Sequence, residues 1–318
     1  MVLIYSDDKD TTKELIAKGR ELADETGSKV TSVIIGEDDD EVANELIYHG
    51  SDEVILANTD IEQFKAEEYT QVLKKLVEKT DSEIVLIGSD KSGKEIAPRL
   101  AAKLETGCVT DCTDLYFEDG TLTAERVAYS GNAVAVKNFI SEPSIVTIPS
   151  KNFDPLSKDE GREGEITREE LEVIEAESKI IDVQEKESEG VNVEDAEIIV
   201  SCGRGFENQE DLDLAEDLSE ALERGTIGCS RPIAADLKWL PEDHWIGLSG
   251  HEVKPELYVA IGISGQIQHI AGMRDSGTVV AINKDEDAPI FESADYGIVG
   301  DLYEVVPKLV EAINEEKG

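Results

Sequence analysis

Residues 256–285, ELYVAIGISGQIQHIAGMRDSGTVVAINKD, contain an apolar run, a glycine turn, a helical pattern and a second apolar run. The two Val/Ile-rich runs are typical of buried strands in a parallel sheet. The turn between them, Gly262-Ile263-Ser264-Gly265, leads into the start of a helix. Backbone N–H groups are left unpaired at such a start, so the stretch predicts an anion site suited to a phosphate or pyrophosphate.

The same alternation of strand and helix patterns extends over most of the chain. Residues 1–150 begin with four apolar runs separated by helical patterns, which predicts a parallel sheet covered on both faces. Residues 121–150 have strand periodicity without long helices and predict antiparallel additions. A second series of strands and helices occupies residues 195–318. We therefore expect an α/β protein with two doubly wound, Rossmann-like domains.

The two predicted domains are separated by a segment of different composition. Residues 151–194 are acidic and poor in residues that could form a core. We interpret this segment as an extended acidic connector. The expected organisation is an N-terminal α/β domain over residues 1–150, the connector, and a C-terminal α/β domain over residues 195–318.

Charge excludes several classes of partner. The chain has 318 residues with 72 acidic and 30 basic side chains, a formal net charge of −42. Such a surface repels nucleic acids and anionic membranes. Because 40% of the residues are hydrophobic, we expect a folded protein from a salt-adapted, haloarchaeal-type source. The N-terminus enters a strand directly and no long apolar run follows, so we expect a cytoplasmic protein without a membrane span.

Two motifs suggest chemistry that the surrounding residues do not support. Gly88 to Glu95, GSDKSGKE, nearly matches a phosphate-binding G-x-x-x-x-G-K-[ST] loop, but Glu95 replaces the hydroxyl that would hold Mg²⁺. Cys108 and Cys112 have no second Cys/His pair nearby. We therefore expect neither nucleotide hydrolysis at the first motif nor a metal at the second.

Three further glycine clusters follow apolar stretches in the C-terminal half. They are CGRG (202–205), GCSR (228–231) and GLSG (247–250). Strand ends of a parallel sheet meet at one crevice, where ligands of this fold class bind. Arg204 and Arg231 are rare cations in an acidic chain, and we expect both to contact a ligand. His269 could be a core histidine or a contact, and its place in the first helical turn favours contact.

The C-terminal half closely resembles the alpha subunit of electron transfer flavoproteins over residues 197–312. The resemblance is carried by GCSRPIAAD and by the stretch from IGLSGHEVKPELY through GISGQIQHIAGMRDSGTVVAINKDEDAPIF to ADYGIVGDLYEVV. It is weaker over residues 1–150, where GKEIAPRLAAKLETGCVTD and SGNAVAVK still match the family. It implies one FAD in the C-terminal domain and a beta subunit that joins the N-terminal domain.

The resemblance also implies roles for single residues. Arg231 and the Ser249 hydroxyl would lie near the isoalloxazine ring and His269 near its pyrimidine carbonyl. The turn after Ser264 would hold the ribityl and pyrophosphate, and Asn283 and Asp301 would face the adenosine. The full set of implied FAD contacts is Arg204, Ser230, Arg231, Gly247, Leu248, Ser249, Ser264, Gly265, Gln266, Ile267, Gln268, His269, Asn283, Asp301 and Leu302.

Two departures from the family pattern concern the same region. Leu248 stands where the family usually has a glutamine beside the flavin, so one side-chain hydrogen bond should be missing. One extra residue lies between Ser230 and Ser249, which leaves the path of that loop open. A different flavin potential is expected from the first departure.

The family resemblance implies an electron carrier without substrate turnover of its own. Its expected donors are flavin dehydrogenases of the acyl-CoA dehydrogenase type, which act in fatty acid β-oxidation, and its expected acceptor is a membrane quinone reductase. An electron-bifurcating variant stays open. A nicotinamide-dependent oxidoreductase is the alternative from another class, although no strand-linked G-x-G-x-x-G appears. A third hypothesis is that the chain is a nucleotide-sensing module without redox chemistry.

The charge predicts a stability that depends on salt. At molar salt the Debye length falls to about 3 Å, so repulsion among surface carboxylates is screened. We expect the melting temperature to rise with KCl concentration, as measured by circular dichroism. A melting temperature that does not change with KCl would contradict the salt-adapted interpretation.

Overall fold

The computed structural model describes residues 1–61, 63–131, 133–183 and 192–317. The chain divides into two compact units, Met1–Asp182 and Val183–Gly318. Within the described residues, no helix is both long enough and apolar enough to cross a bilayer. The same residues contain no cluster of three or more His, Cys, Asp or Glu side chains that could hold a metal ion.

The large sheet of unit 1 has seven parallel strands. Its strands and the four helices between them are β1 (Val2–Tyr5), α1 (Lys9–Thr26), β2 (Val30–Ile35), α2 (Asp40–Tyr48), β3 (Glu53–Asn58), α3 (Ala66–Thr80), β4 (Ile84–Gly88), α4 (Lys91–Lys103) and β5 (Cys108–Val109). A separate antiparallel sheet follows, made of β6 (Cys112–Glu118), β7 (Thr121–Ala128) and β8 (Ala133–Asn138). Two more strands, β9 (Ser144–Ile148) and β10 (Glu165–Glu170), complete the large sheet in the order β10-β3-β2-β1-β4-β9-β5.

Side chains of β1 alternate between two apolar clusters. Val2 and Ile4 belong to a cluster with α1 and α2, whereas Leu3 and Tyr5 belong to one with α3 and α4. Successive side chains of a strand point to opposite faces, so helices cover both faces of this sheet. Both faces being apolar explains why its strands are continuous Val/Ile runs. The predicted mixed α/β class with parallel sheets is confirmed.

Part of the segment interpreted as a connector forms a strand. β10 pairs in parallel with β3, and Arg168 forms ion pairs with Asp38 at 2.9 Å and Asp40 at 2.6 Å. Beyond β10, the Gln71 side chain exchanges two hydrogen bonds with the backbone of Ile174. The acidic sequence EITREE does not resemble a strand, because none of its six residues is fully buried. Residues 184–191 of the predicted connector lie outside the described residues.

Close packing explains the glycines of the GSDKSGKE motif. A Cβ atom on Gly93 would lie 1.8 Å from the carbonyl oxygen of Gly88. The Gly93 N–H donates to the Asp90 carboxylate at 2.6 Å, and Lys94 forms an ion pair with Asp111 at 3.1 Å. The N–H and the ammonium that would bind a phosphate are therefore already satisfied by carboxylates.

Unit 2 has one sheet of five parallel strands. Its elements are β11 (Ile198–Cys202), α5 (Asp213–Ala221), β12 (Gly225–Cys229), β13 (Leu257–Ile261), α6 (Ile267–Ala271), β14 (Thr278–Asn283), β15 (Tyr296–Val299) and α7 (Leu302–Lys317). The strand order is β12-β11-β13-β14-β15. A six-residue π-helix, Pro232–Leu237, and a short 3₁₀ turn, Glu242–His244, lie between β12 and β13.

Apolar side chains cover both faces of the unit 2 sheet as well. Leu218 of α5 and Val306 of α7 share a cluster with Val200, whereas Ile199 and Met273 belong to the other cluster. The connections after β11 and after β13 therefore leave the sheet on opposite sides. In an open α/β sheet, such a reversal creates a crevice at the carboxyl ends of the two strands.

Candidate functional site

The carboxyl ends of the unit 2 strands lie at one edge of the sheet. Cys202 at the end of β11 is in register with Cys229 of β12 and with Ile261 of β13, and Ile261 is in register with Ile282 of β14. The residues that follow these strands are thereby brought to one edge. Among the predicted contacts, this edge holds Arg204, Ser230, Arg231, Ser264, Asn283 and Asp301.

Two turns at this edge touch through their backbones. A Cβ atom on Gly203 would lie 2.3 Å from the Gly262 carbonyl oxygen, and one on Gly205 would lie 2.7 Å from the Gly262 Cα. The Gly205 N–H donates to the Gly262 carbonyl at 2.9 Å, and Gly262 has a φ of +63°. Only glycine permits both the approach and the left-handed backbone. The turns after β11 and β13 therefore form one unit.

The turn after β13 presents a row of unpaired donors. No described residue accepts a hydrogen bond from the five backbone N–H groups of residues 264–268. Gly265 has a φ of +83°, and a Cβ atom there would lie 2.2 Å from the Ile290 nitrogen. Ile290 donates to the Ser264 carbonyl at 3.1 Å and Asn283 to the Ile263 carbonyl at 2.8 Å, which hold the turn in place.

The helix after this turn is shorter than the sequence suggests. α6 has five residues, too few for a substantial helix dipole. The anion site expected at a helix start is therefore better described as a loop whose successive N–H groups have no acceptor among the described residues. His269 N–H and Ile270 N–H both donate to the Gln266 carbonyl, so α6 is a single turn that ends the loop.

The GLSG cluster packs against the end of this loop. Leu248 N–H donates to the Gln268 carbonyl at 2.7 Å, and Val253 N–H donates to Gly272 at 2.8 Å. A Cβ atom on Gly272 would lie 2.5 Å from the Gly247 Cα. The Leu248 side chain is half exposed, and Ser249 is exposed. The structure thus joins the predicted residues 247–249 and 264–269 through backbone contacts between distant segments.

Both predicted arginines are exposed and carry free charges. Arg204 and Arg231 form no ion pair with any described carboxylate, although acidic residues dominate the surface. Arg224 of the same unit, in contrast, pairs with Glu197 at 2.8 Å. The Arg231 guanidinium carbon lies 5.9 Å from the centroid of the Trp245 ring, a cation–π distance. A guanidinium left unpaired in such a chain is available for an anionic or electron-rich ligand.

His269 is buried below the turn. Its Nε2 lies 2.9 Å from the Tyr258 hydroxyl, and its Nδ1 has no hydrogen-bond partner among the described residues. Burial lowers the pKa of His269 from 6.5 to about 4, and this effect outweighs an opposing contribution from the Ile246 backbone. The imidazole is therefore neutral at pH 7, with one nitrogen still unsatisfied.

Several other predicted contact residues pack beneath the site or lie exposed on its loop. Leu302 is buried, and its side chain lies 3.2 Å from where a Gly262 Cβ would be. Ser230 is also buried, and its carbonyl accepts hydrogen bonds that begin the π-helix. Gln266, Ile267 and Gln268 are exposed on the loop. These residues shape the site or line it.

Sequence reasoning missed three residues near the site. Tyr258 and Ser201 lie inside strands, where they look like ordinary strand residues, and Trp245 lies in a loop of irregular path. No local pattern marks any of them. The position of Tyr258 in the strand next to the glycine turn was the only available signal.

Comparison with known families decides the identity of this arrangement. Residues 3–174 match the electron transfer flavoprotein domain, and residues 192–274 match the electron transfer flavoprotein FAD-binding domain. The chain belongs to the electron transfer flavoprotein alpha-subunit family. The predicted family and the predicted FAD cofactor are both confirmed.

Several relatives are similar over nearly the whole chain. The electron transfer flavoprotein subunit alpha of Thermoanaerobacterium thermosaccharolyticum is 38% identical over 309 residues, which cover 96% of this chain and 93% of the relative. The subunit alpha of Bacillus subtilis is 38% identical over 309 residues, covering 96% and 94%. A lactate dehydrogenase (NAD(+),ferredoxin) subunit of Acetobacterium woodii is 37% identical over 307 residues, covering 95% and 73%.

The described residues fit the chemistry of FAD. A diphosphate needs converging N–H donors, and residues 264–268 supply five without another acceptor. A flavin ring that accepts electrons needs donors and positive charge at its edge. Arg231 is free to supply charge, and the unsatisfied Nδ1 of His269 can supply a hydrogen bond.

The lowered pKa of His269 predicts an acid-sensitive unit. Its unfolded pKa is higher than its folded pKa, so the unfolded state binds a proton first and stability is lost as the pH falls from about 6.5 towards 4. Between about pH 7.5 and about pH 5, the wild-type chain without FAD should lose about 2 kcal/mol more unfolding free energy than His269→Gln. Denaturant titrations measure this difference.

His251→Gln is the matched control, because His251 lies at the surface with Nδ1 2.8 Å from Glu194. Parallel pH profiles for wild type and His269→Gln would contradict a neutral, buried His269.

Proposed function

We propose that this chain is the alpha subunit of a heterodimeric electron transfer flavoprotein that carries electrons without turning over a substrate of its own. Its donors would be flavin dehydrogenases of the acyl-CoA dehydrogenase type, as in fatty acid β-oxidation, and its acceptor a membrane quinone reductase. The observation that carries the proposal is the row of unpaired N–H groups at residues 264–268, with free arginines at the same sheet edge. A beta subunit would complete the protein.

FAD, when bound, supplies the electron-accepting ring, and the chain supplies the binding and the electrostatics. Residues 264–268 would hold the ribityl and diphosphate part through their N–H groups. Asn283 already holds the turn through the Ile263 carbonyl, so its contact with the adenosine end would be made by its remaining amide capacity.

At the ring, the proposed roles differ in charge. Arg231 would lie near the isoalloxazine and stabilise negative charge that develops there, since its guanidinium is permanently protonated. The Ser249 hydroxyl would lie towards N5, and neutral His269 would donate to the pyrimidine carbonyl. Leu248 exposes an apolar side chain beside them, which supports the expectation that one hydrogen bond of the family is missing here.

An electron-bifurcating variant is the second candidate. The similarity to a subunit of lactate dehydrogenase (NAD(+),ferredoxin) favours this variant, because the name of that enzyme includes two electron carriers, NAD(+) and ferredoxin. Bifurcation would require a second flavin held mostly by the beta subunit. The nicotinamide-dependent oxidoreductase has no comparable support.

We propose three further features along with the function: the subunit interface, the domain that holds FAD and the cellular location. The N-terminal α/β domain would form the interface with the beta subunit, and the C-terminal domain would hold FAD. Free arginines on an otherwise acidic unit support a function for this one edge. A cytoplasmic location in a salt-adapted cell is consistent with the charge of the chain.

Coexpression with a beta subunit tests the function directly. We expect a stable complex with the absorption peaks of a flavin and one FAD per alpha chain. Reduction by a reduced acyl-CoA dehydrogenase, without reduction by NADH, would support the carrier. A second flavin and reduction by NADH would support the bifurcating variant, and a complex without flavin would contradict both.

Removing the Arg231 guanidinium should lower the midpoint potential of bound FAD. Each tenfold loss of stabilisation of the reduced ring corresponds to about 60 mV in a one-electron couple, and a lost charge interaction is worth one or two such steps. Arg231→Ala should therefore lower the potential by roughly 60 to 120 mV in a spectroelectrochemical titration.

Arg224→Ala is the control, since Arg224 is an exposed cation of the same unit that pairs with Glu197. An unchanged potential in folded Arg231→Ala would remove Arg231 from the ring.

A further inference from the structure

We propose that Tyr258 is a positioning residue for FAD, whose hydroxyl donates to Nε2 of His269 and so keeps the ring proton on Nδ1. The inference rests on the proposed FAD site. Tyr258 is the second residue of β13, and its side chain is fully buried. It therefore acts through His269 rather than by touching a ligand.

The contact between the two rings is well defined. The Tyr258 oxygen lies 2.9 Å from Nε2, the ring centroids are 6.2 Å apart and the planes are tilted by 58°. In a neutral imidazole one nitrogen donates and the other accepts. The hydrogen bond therefore has two possible directions, and its direction decides whether Nδ1 carries a proton.

The acidity of the two groups indicates that the tyrosine is the donor. A phenol O–H, with an ordinary pKa of about 10, is a far stronger acid than a neutral imidazole N–H, and a bare imidazole nitrogen accepts a hydrogen bond more strongly than a phenol oxygen. Burial raises the pKa of Tyr258 well above its ordinary value, so the phenol keeps its proton and can donate it in a hydrogen bond to Nε2.

The consequence is a preset hydrogen-bond donor. Nδ1 forms no hydrogen bond of normal geometry with a described residue, and it is buried within a side chain that is 7% exposed. An unsatisfied buried N–H is costly unless a ligand accepts it. Of the two tautomers, only the one with a proton on Nδ1 can donate to a flavin carbonyl from this nitrogen.

Nitrogen-15 NMR of histidine-labelled full-length chain without FAD reads the tautomer directly, and His269→Gln assigns the signals. We expect wild-type Nδ1 to have a pyrrole-type shift and Nε2 a pyridine-type shift at about pH 7.5, where the ring is neutral. Tyr258→Phe keeps the aromatic ring and removes the donor, so the two nitrogens should shift towards a mixture of tautomers.

FAD titrations of the same proteins add a second readout. We expect Tyr258→Phe to bind FAD roughly tenfold more weakly, about the worth of one hydrogen bond. Tyr116→Phe, which removes a hydroxyl bonded to Glu125 in unit 1, should change neither the tautomer nor the affinity.

The other possible results of these experiments contradict different parts of the proposal. A wild-type ring protonated on Nε2, or an unchanged tautomer in Tyr258→Phe, would overturn the role of Tyr258. A changed tautomer with unchanged FAD affinity would overturn its connection to FAD. Failure of the wild-type chain to bind FAD would count against the proposed function and leave the tautomer result intact.

Discussion

The contact between two backbone turns, Gly203 to Gly205 after β11 and Gly262 after β13, is the constraint on which the rest of the site depends. A Cβ atom on Gly203, Gly205 or Gly262 would lie within 2.8 Å of the opposite backbone, closer than such atoms approach in proteins. The contact sets where residues 264–268 begin, and those residues present the five unpaired N–H groups. A ligand site of this kind exists because the backbone itself comes to the surface of the sheet edge.

The side chains around that backbone differ in charge and in burial. Arg204 and Arg231 remain exposed and unpaired in a chain with a net charge of −42, so their position favours an anionic ligand. His269, in contrast, is buried and neutral, and it can only act through a hydrogen bond. One site thus combines a permanent charge at its surface with a directional donor below it, which suits a ring whose charge changes during function.

Much of the candidate site could be predicted from the order of residues along the chain. Three of the four glycine clusters, CGRG, GCSR and GISG, lie at the ends of strands. Parallel strands place their ends at one edge, so Arg204, Arg231 and Ser264 could be grouped from the sequence alone. The edge strand β10 could not, because EITREE has the composition of a solvated segment. Nor could the short α6 be recognised, since the apolar and polar residues after Gly265 continue a helical period beyond Ala271.

The sequence by itself determined the α/β class, the positions of the turns and the family, because these follow from local periodicity and from motifs read in order. The tertiary structure alone decided which distant groups meet. It placed Gly247 on Gly272, Trp245 beside Arg231 and the Tyr258 hydroxyl on Nε2 of His269. The reason is physical: such contacts join segments whose spacing along the chain is unrelated to their separation in space, so no local pattern records them.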